Sequence, residues 1–224
     1  MTVGRERQGS SASRPAAAHA RLTAMTATRM YLTGDDKADA LLASDGNALL
    51  IGMVLDQQVT MEKAFSGPAV IAERMDGRLD VAAIAHADPD EFAALCARPP
   101  AVHRFPGSMA GRVQGVCRVL VESYGGDAAA LWADVSTGAE LRERLGLLPG
   151  FGAQKAAIFT ALLGKQYGVR PDGWREAAGV YGEEGSRRSV ADVVDDASLA
   201  QVRETKRAAK ALAKGAVKSR SAGD

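Results

Sequence analysis

The sequence predicts an all-α protein, and three observations carry that prediction. Apolar residues recur at spacings of three and four along nearly the whole chain after Thr33. Helix start and stop signals bracket those stripes. No stretch shows the strict apolar–polar alternation of a half-buried strand.

In chain order, residues 1–30 are rich in Ala, Ser, Arg and Thr with few large apolar groups. Such a segment buries too little to repay the entropy of ordering, so a disordered tail is expected. Leu50, Ile51, Val54 and Leu55 then form an i, i+1, i+4, i+5 stripe. Asp88-Pro89-Asp90-Glu91 reads as a helix start, with a cap, a proline at the first helical position and a following glutamate. Val113, Val116, Cys117, Leu120, Val121 and Tyr124 keep the helical period until Gly125-Gly126 stops it. Thr137 to Glu140 forms a capping box ahead of Leu141, Leu145 and Leu148. Ile158, Phe159, Leu162 and Leu163 resume the stripe, and Gly164 and Gly168 loosen its end. Leu199, Val202 and Leu212 belong to one long helix ringed by basic residues. The helical domain is expected over 31–200, followed by a basic C-terminal helix and tail over 201–224.

Composition narrows the function classes. A chain of 224 residues with 46% hydrophobic content can bury a core as one domain or two small lobes. Lys+Arg 28 against Asp+Glu 27 leaves a net charge of +1, so no global basic field announces a nucleic acid. Locally, Arg203, Lys206, Arg207, Lys210 and Lys214 face only Glu204. That surface fits an anionic partner, and equally an ordinary solvated helix face. The only cysteines are Cys96 and Cys117, and no apolar run approaches the roughly 18 residues of a membrane span. The expectation is a soluble protein of a reducing compartment such as the cytoplasm. A self-contained four-cysteine iron–sulfur cluster is excluded. His19, His86 and His103 lack metal-ligand spacing, so no metal site is expected.

The most informative stretch is Leu148-Pro149-Gly150-Phe151-Gly152. Helices joined by so few residues reverse sharply, and Gly150 and Gly152 permit backbone angles that a side chain forbids. Gly152 opens the next helix, whose unpaired N–H groups and dipole suit a phosphate oxygen. A tight αα-hairpin with no ligand uses the same residues. It is not a dinucleotide fingerprint, because Lys155 stands where a third glycine belongs and no strand precedes it.

The segment Leu148 to Ala156 resembles the hairpin of the helix-hairpin-helix (HhH-GPD) DNA glycosylase superfamily, the group containing endonuclease III. Leu55-Asp56-Gln57-Gln58-Val59-Thr60 resembles that family's segment with a DNA-inserting glutamine, matching Gln58. Ser108-Met109-Ala110, running on to Glu122, resembles the helix before the hairpin. The likeness covers about residues 35 to 175. It implies a two-lobed helical fold and base-excision repair by hydrolysis of an N-glycosidic bond. The implied partner is double-stranded DNA with a damaged or mismatched base, bound by a monomer away from any membrane. A monovalent cation at the hairpin carbonyls is also implied, with no iron–sulfur cluster or other cofactor.

In that family the catalytic aspartate follows the hairpin's leading leucine by a fixed interval, and Asp172 follows Leu148 by the expected 24 residues. Breaking the bond develops positive charge on the sugar, which a fixed carboxylate in a water-poor pocket stabilises. Pro171-Asp172-Gly173 also has the composition of a plain turn, and Gly173-Trp174 departs from the family's polar pattern. Gln154 stands where strand-cutting members carry a nucleophilic lysine, and an amide forms no Schiff base. Lys155 lies one residue on, about 100° around the helix, and is expected to face a phosphate instead. A monofunctional glycosylase follows, with Asp172 catalytic and Gln57, Gln58, Pro149, Gly150, Phe151, Gly152, Gln154 and Lys155 on DNA. Gln58 would fill the gap left by an extruded nucleotide, though it also suits an ordinary polar helix end. Asp56 is either a cap or part of the cleft, Arg170 and Arg175 could hold the backbone, and Trp174 is either a base-stacking or a core residue. The alternative function is a non-catalytic DNA-binding module for lesion recognition.

Overall fold

The structure, a computed structural model, describes Ala27 and residues 29–220. Seven helices come first: α1 (Asp36–Ser44), α2 (Gly46–Leu55), α3 (Met61–Arg74), α4 (Val81–His86), α5 (Pro89–Ala97), α6 (Pro106–Tyr124) and α7 (Ala128–Ala133). After them come α8 (Gly138–Gly146), α9 (Ala153–Gln166), α10 (Trp174–Ala178) and α11 (Asp196–Arg220), with short 3-10 turns at Gly179–Tyr181 and Val190–Asp192. Among the described residues there is no strand, only an isolated parallel bridge between Thr137 and Asp172. The protein is all-α.

Capping chemistry explains where the helices begin. Asp35, Asp45, Asp80, Asp88 and Asp127 each accept hydrogen bonds from first-turn N–H groups, satisfying donors the helix itself cannot. Thr137 accepts from Glu140, and the Glu140 carboxylate reaches back to the Ser136 N–H, 3.1 Å away. Gly125, at φ +63, ends α6 in the left-handed conformation.

Helix α2 departs from its sequence pattern. All eight residues from Ala48 to Leu55 are buried, not a single stripe, so α2 is a central helix packed on every side. Helix α3 lies close against it, because a Cβ on Gly52 would sit 2.6 Å from the Phe65 ring. Helix α6 packs on α2, α4 and α5, while α8, α9 and α10 form a second group. One continuous core joins the two groups. At the join, the Phe159 ring meets Trp132 and Phe151 edge-on, at 6.0 and 5.9 Å, and the Tyr167 hydroxyl donates to the Leu42 carbonyl.

Two expected boundaries shift. Residues 1–26 and Thr28, the bulk of the predicted tail, lie outside the described residues. Met30 does not belong to a tail, being fully buried, and the Ala27 N–H bonds the Ala43 carbonyl. The boundary at residue 201 falls inside α11, whose Leu199 and Val202 enter the core. Leu212, expected on the same apolar stripe, is exposed. No single described helix is long and apolar enough to cross a membrane.

Candidate active site

The bend between α8 and α9 is built as the glycines predict. Gly150 has φ +81, and the Phe151 N–H closes the turn onto the Leu148 carbonyl at 3.0 Å. Gly152 is the N-cap of α9 and offers no side chain, so the first-turn N–H groups stay uncapped and exposed. A fourteen-residue helix ending in bare N–H groups is an anion site by geometry. Pro149 is half-buried against Gly115 of α6. The Phe151 ring is buried against Phe159 and anchors the bend from inside, which leaves its backbone as the part that faces the bend's outer side.

The α2–α3 turn lies beside this bend. Gln58 is exposed and has φ +54, a left-handed conformation that costs a non-glycine residue about 1–2 kcal/mol. Its neighbour Gln57 is held from two sides. Arg112 donates to the Gln57 side-chain oxygen, and His103 Nε2 donates to the Gln57 carbonyl at 2.8 Å. The His103 tautomer follows from its partners: Nδ1 accepts from the Phe105 N–H at 3.0 Å, so the ring proton must sit on Nε2. Gln57 is therefore braced beside Gln58. Arg112 also packs against Gly150, tying the glutamine turn to the hairpin.

Sequence reasoning missed Arg112, His103 and Phe105. Phe105 is 43% exposed beside this turn, with the Arg104 guanidinium 4.7 Å from its ring centre. An exposed aromatic flanked by arginine is a usable signal for nucleic-acid stacking, but its nearness to Gln58 exists only through His103.

Behind the two turns lies a cavity of about 440 Å³. Its polar lining is Asp56, Gln154, Lys155, Tyr181, Arg188, Thr205 and Lys206. Met53, Ile158 and Val180 supply apolar wall, and Lys206 comes from α11, so the C-terminal helix is part of the site. Gln154 Nε2 donates to the Tyr181 hydroxyl at 2.9 Å. Asp56 fulfils both expected roles, as the C-cap of α2 and as cavity lining.

Lys155 does not face outward as expected. Its ammonium turns inward and donates to the Val54 carbonyl at 2.9 Å, on the last turn of α2. Orphan carbonyls at a helix C-terminus attract a cation, and that attraction outweighs the helical offset from Gln154. Burial lowers its pKa from 10.5 to about 8; Asp56 opposes the shift and Arg112 adds to it.

Asp172 is not in the cavity. Its peptide bonds the Ser136 carbonyl and the Gly138 N–H, at 3.1 and 2.7 Å, where α8 begins. The hairpin lies at the other end of α8, about 12 Å away along the axis. The Asp172 side chain is exposed. Helix α9 advances about 21 Å before it ends, and only five residues separate its last residue, Gln166, from Asp172. Those residues do not run back along α9. The chain turns at Gly168, φ +73, the Val169 N–H bonds the Leu163 carbonyl, and Arg170 Nε bonds the Gly164 carbonyl. An interval in residues does not specify a distance when most of it is helix. The flanking candidates are likewise structural: Arg175 donates to the Gly182 carbonyl, and Trp174 is buried against Gly164.

Among the described residues no group of three or more His, Cys, Asp or Glu could hold a metal ion. Cys96 and Cys117 are buried thiols, pushed up to about 11 and about 12 by burial. The Pro149, Gly150 and Phe151 carbonyls accept no backbone hydrogen bond. These are the oxygens that would hold the monovalent cation the resemblance implies.

A helical hairpin with an uncapped glycine N-terminus, a strained exposed glutamine and a cavity behind them stand together, as the resemblance to the helix-hairpin-helix glycosylases implies. The family model of the HhH-GPD superfamily base excision DNA repair proteins matches residues 51–217. The chain belongs to that superfamily, whose members are DNA glycosylases. No curated protein and no solved structure matches it.

Proposed function

We propose that this protein is a DNA glycosylase that draws a damaged or mismatched base from the duplex and hydrolyses its N-glycosidic bond without cutting the strand. The observation that carries this reading is the cavity directly behind the hairpin and the Gln58 turn, with Asp56 and Lys155 on its wall. The α9 N-terminus grips a phosphate, Gln58 enters the vacated stack, and Phe105 stacks on a neighbouring base. In the cavity Asp56 supports the positive charge that develops on the sugar and orients the attacking water. Gln154 has no amine to offer. Lys155 is held as an ammonium on the Val54 carbonyl, so an abasic site is the product.

The test is incubation with duplexes carrying oxidised, alkylated or deaminated bases, followed by alkali. Base release is expected with at least one lesion, and Asp56→Asn should lower its rate at least ~100-fold. Strand scission without alkali, with a borohydride-trapped adduct, would rule out the monofunctional reading.

A second reading is a lesion-recognition module without turnover. The solvent-exposed position of Asp172 favours it. Tight binding to damaged duplexes with no release from any of them would select that module.

A further inference from the structure

Building on the glycosylase reading, we propose that Lys155 acts on the departing base, and that the site is selective for deaminated or oxidised bases that leave with negative charge on a carbonyl oxygen. Three features of the cavity lead there. First, the Lys155 ammonium has three protons and commits one to the Val54 carbonyl, leaving donors free for the cavity. Second, cations dominate the lining: among the described residues Lys155, Arg188 and Lys206 stand against the single carboxylate of Asp56, and Arg112 adds its field from outside. Third, the lining is poor in π faces. Among the described residues Tyr181 is its one aromatic, and that hydroxyl is already engaged by Gln154. Cationic alkylated purines are best held by stacked aromatic faces and acids, which this wall lacks. Here they would meet like charge.

The bond between C1′ and the base nitrogen breaks, its electron pair passing to the base and delocalising onto the carbonyl oxygen. Lys155 donates its proton to that oxygen. Water adds hydroxide to C1′ and gives its proton to Asp56, which returns it to Lys155. The products are the free neutral base and an abasic site. The partly apolar wall strengthens the ammonium's pull on the developing anion. Lys155 must be protonated to act, and its burial brings deprotonation into the accessible pH range, near 8.

The experiment is single-turnover excision by the full-length protein. One set of duplexes carries uracil, hypoxanthine or 8-oxoguanine, and the other carries 7-methylguanine or 3-methyladenine. Excision at least ~10-fold faster from the first set is expected. Lys155→Met should slow that excision by ~100-fold or more, with DNA affinity within a few-fold of wild type. The wild-type rate should fall as pH rises through about 8, and in Lys155→Arg, which stays charged, that decline should move to higher pH. The Arg variant and the pH profile keep the test decisive if the Met variant fails to fold. Excision confined to cationic bases, full activity of Lys155→Met, or a flat wild-type profile would overturn the proposal while leaving the glycosylase reading intact. Absence of excision from every duplex would overturn both.

Discussion

Gln58 shows how a single residue can be prepared for function. A left-handed glutamine is strained, and its conformation survives because Arg112 and His103 fix the preceding residue on both sides. The strain lies in an exposed turn beside an anion-binding helix end, where a side chain that enters DNA would be needed. Asp172 presents the opposite case, a residue with a suggestive position in the sequence and no suitable surroundings in space. Asp172→Asn is expected to leave base release within about two- to three-fold of wild type, measured on whichever duplex the protein acts upon, because its carboxylate is solvated and remote from the cavity. Near-complete loss of activity would restore it as the catalytic group. Phe151 and Lys155 were both legible as members of the hairpin, but the sequence did not say which way either side chain turns. Ring packing decides the first, and the open carbonyls of α2 decide the second.

At the scale of elements, close approaches of backbone set the second group of helices. A Cβ on Gly138 would lie 2.4 Å from the Trp174 Cα, and one on Gly164 would lie 2.3 Å from the Trp174 ring. The α8–α9–α10 packing therefore depends on small residues facing a tryptophan. Gly138→Ala should destabilise the protein by about 1–3 kcal/mol, because the clash is with backbone that no rotamer change relieves. Thermal denaturation checks this, and a melting temperature equal to wild type would contradict the packing. Helix starts were readable because Asp and Thr caps work locally, through N–H groups within three residues. The role of α11 was not readable as a cavity wall. It depends on Leu199 and Val202 docking into a distant core and on the Arg203 guanidinium bonding Glu62 of α3.

For the whole molecule, a near-neutral chain must bind DNA through local charge and not through a global field. In the proposed complex the phosphate contacts are few, at the α9 N-terminus and at arginines near the Gln58 turn, and that implies a shallow salt dependence. The logarithm of affinity against the logarithm of salt should have a slope of only about −2 to −4, each contacted phosphate adding roughly −0.9. Fluorescence anisotropy over a salt series measures it. A slope near −10 would mean that a much larger basic surface, such as the outer face of α11, tracks the backbone.

The sequence by itself determined the all-α class, the helix caps and the glycine bend, because periodicity, capping and tight turns are written within a few neighbouring residues; the superfamily came from the resemblance of its motifs. Tertiary structure alone decided which side chains share the cavity. Asp56, Lys155, Tyr181 and Lys206 are far apart in the chain and meet only because one apolar core draws α2, α9 and α11 together. The same packing holds Asp172 at the opposite end of α8. Position along a chain becomes position in space only after the helices between have used up the length.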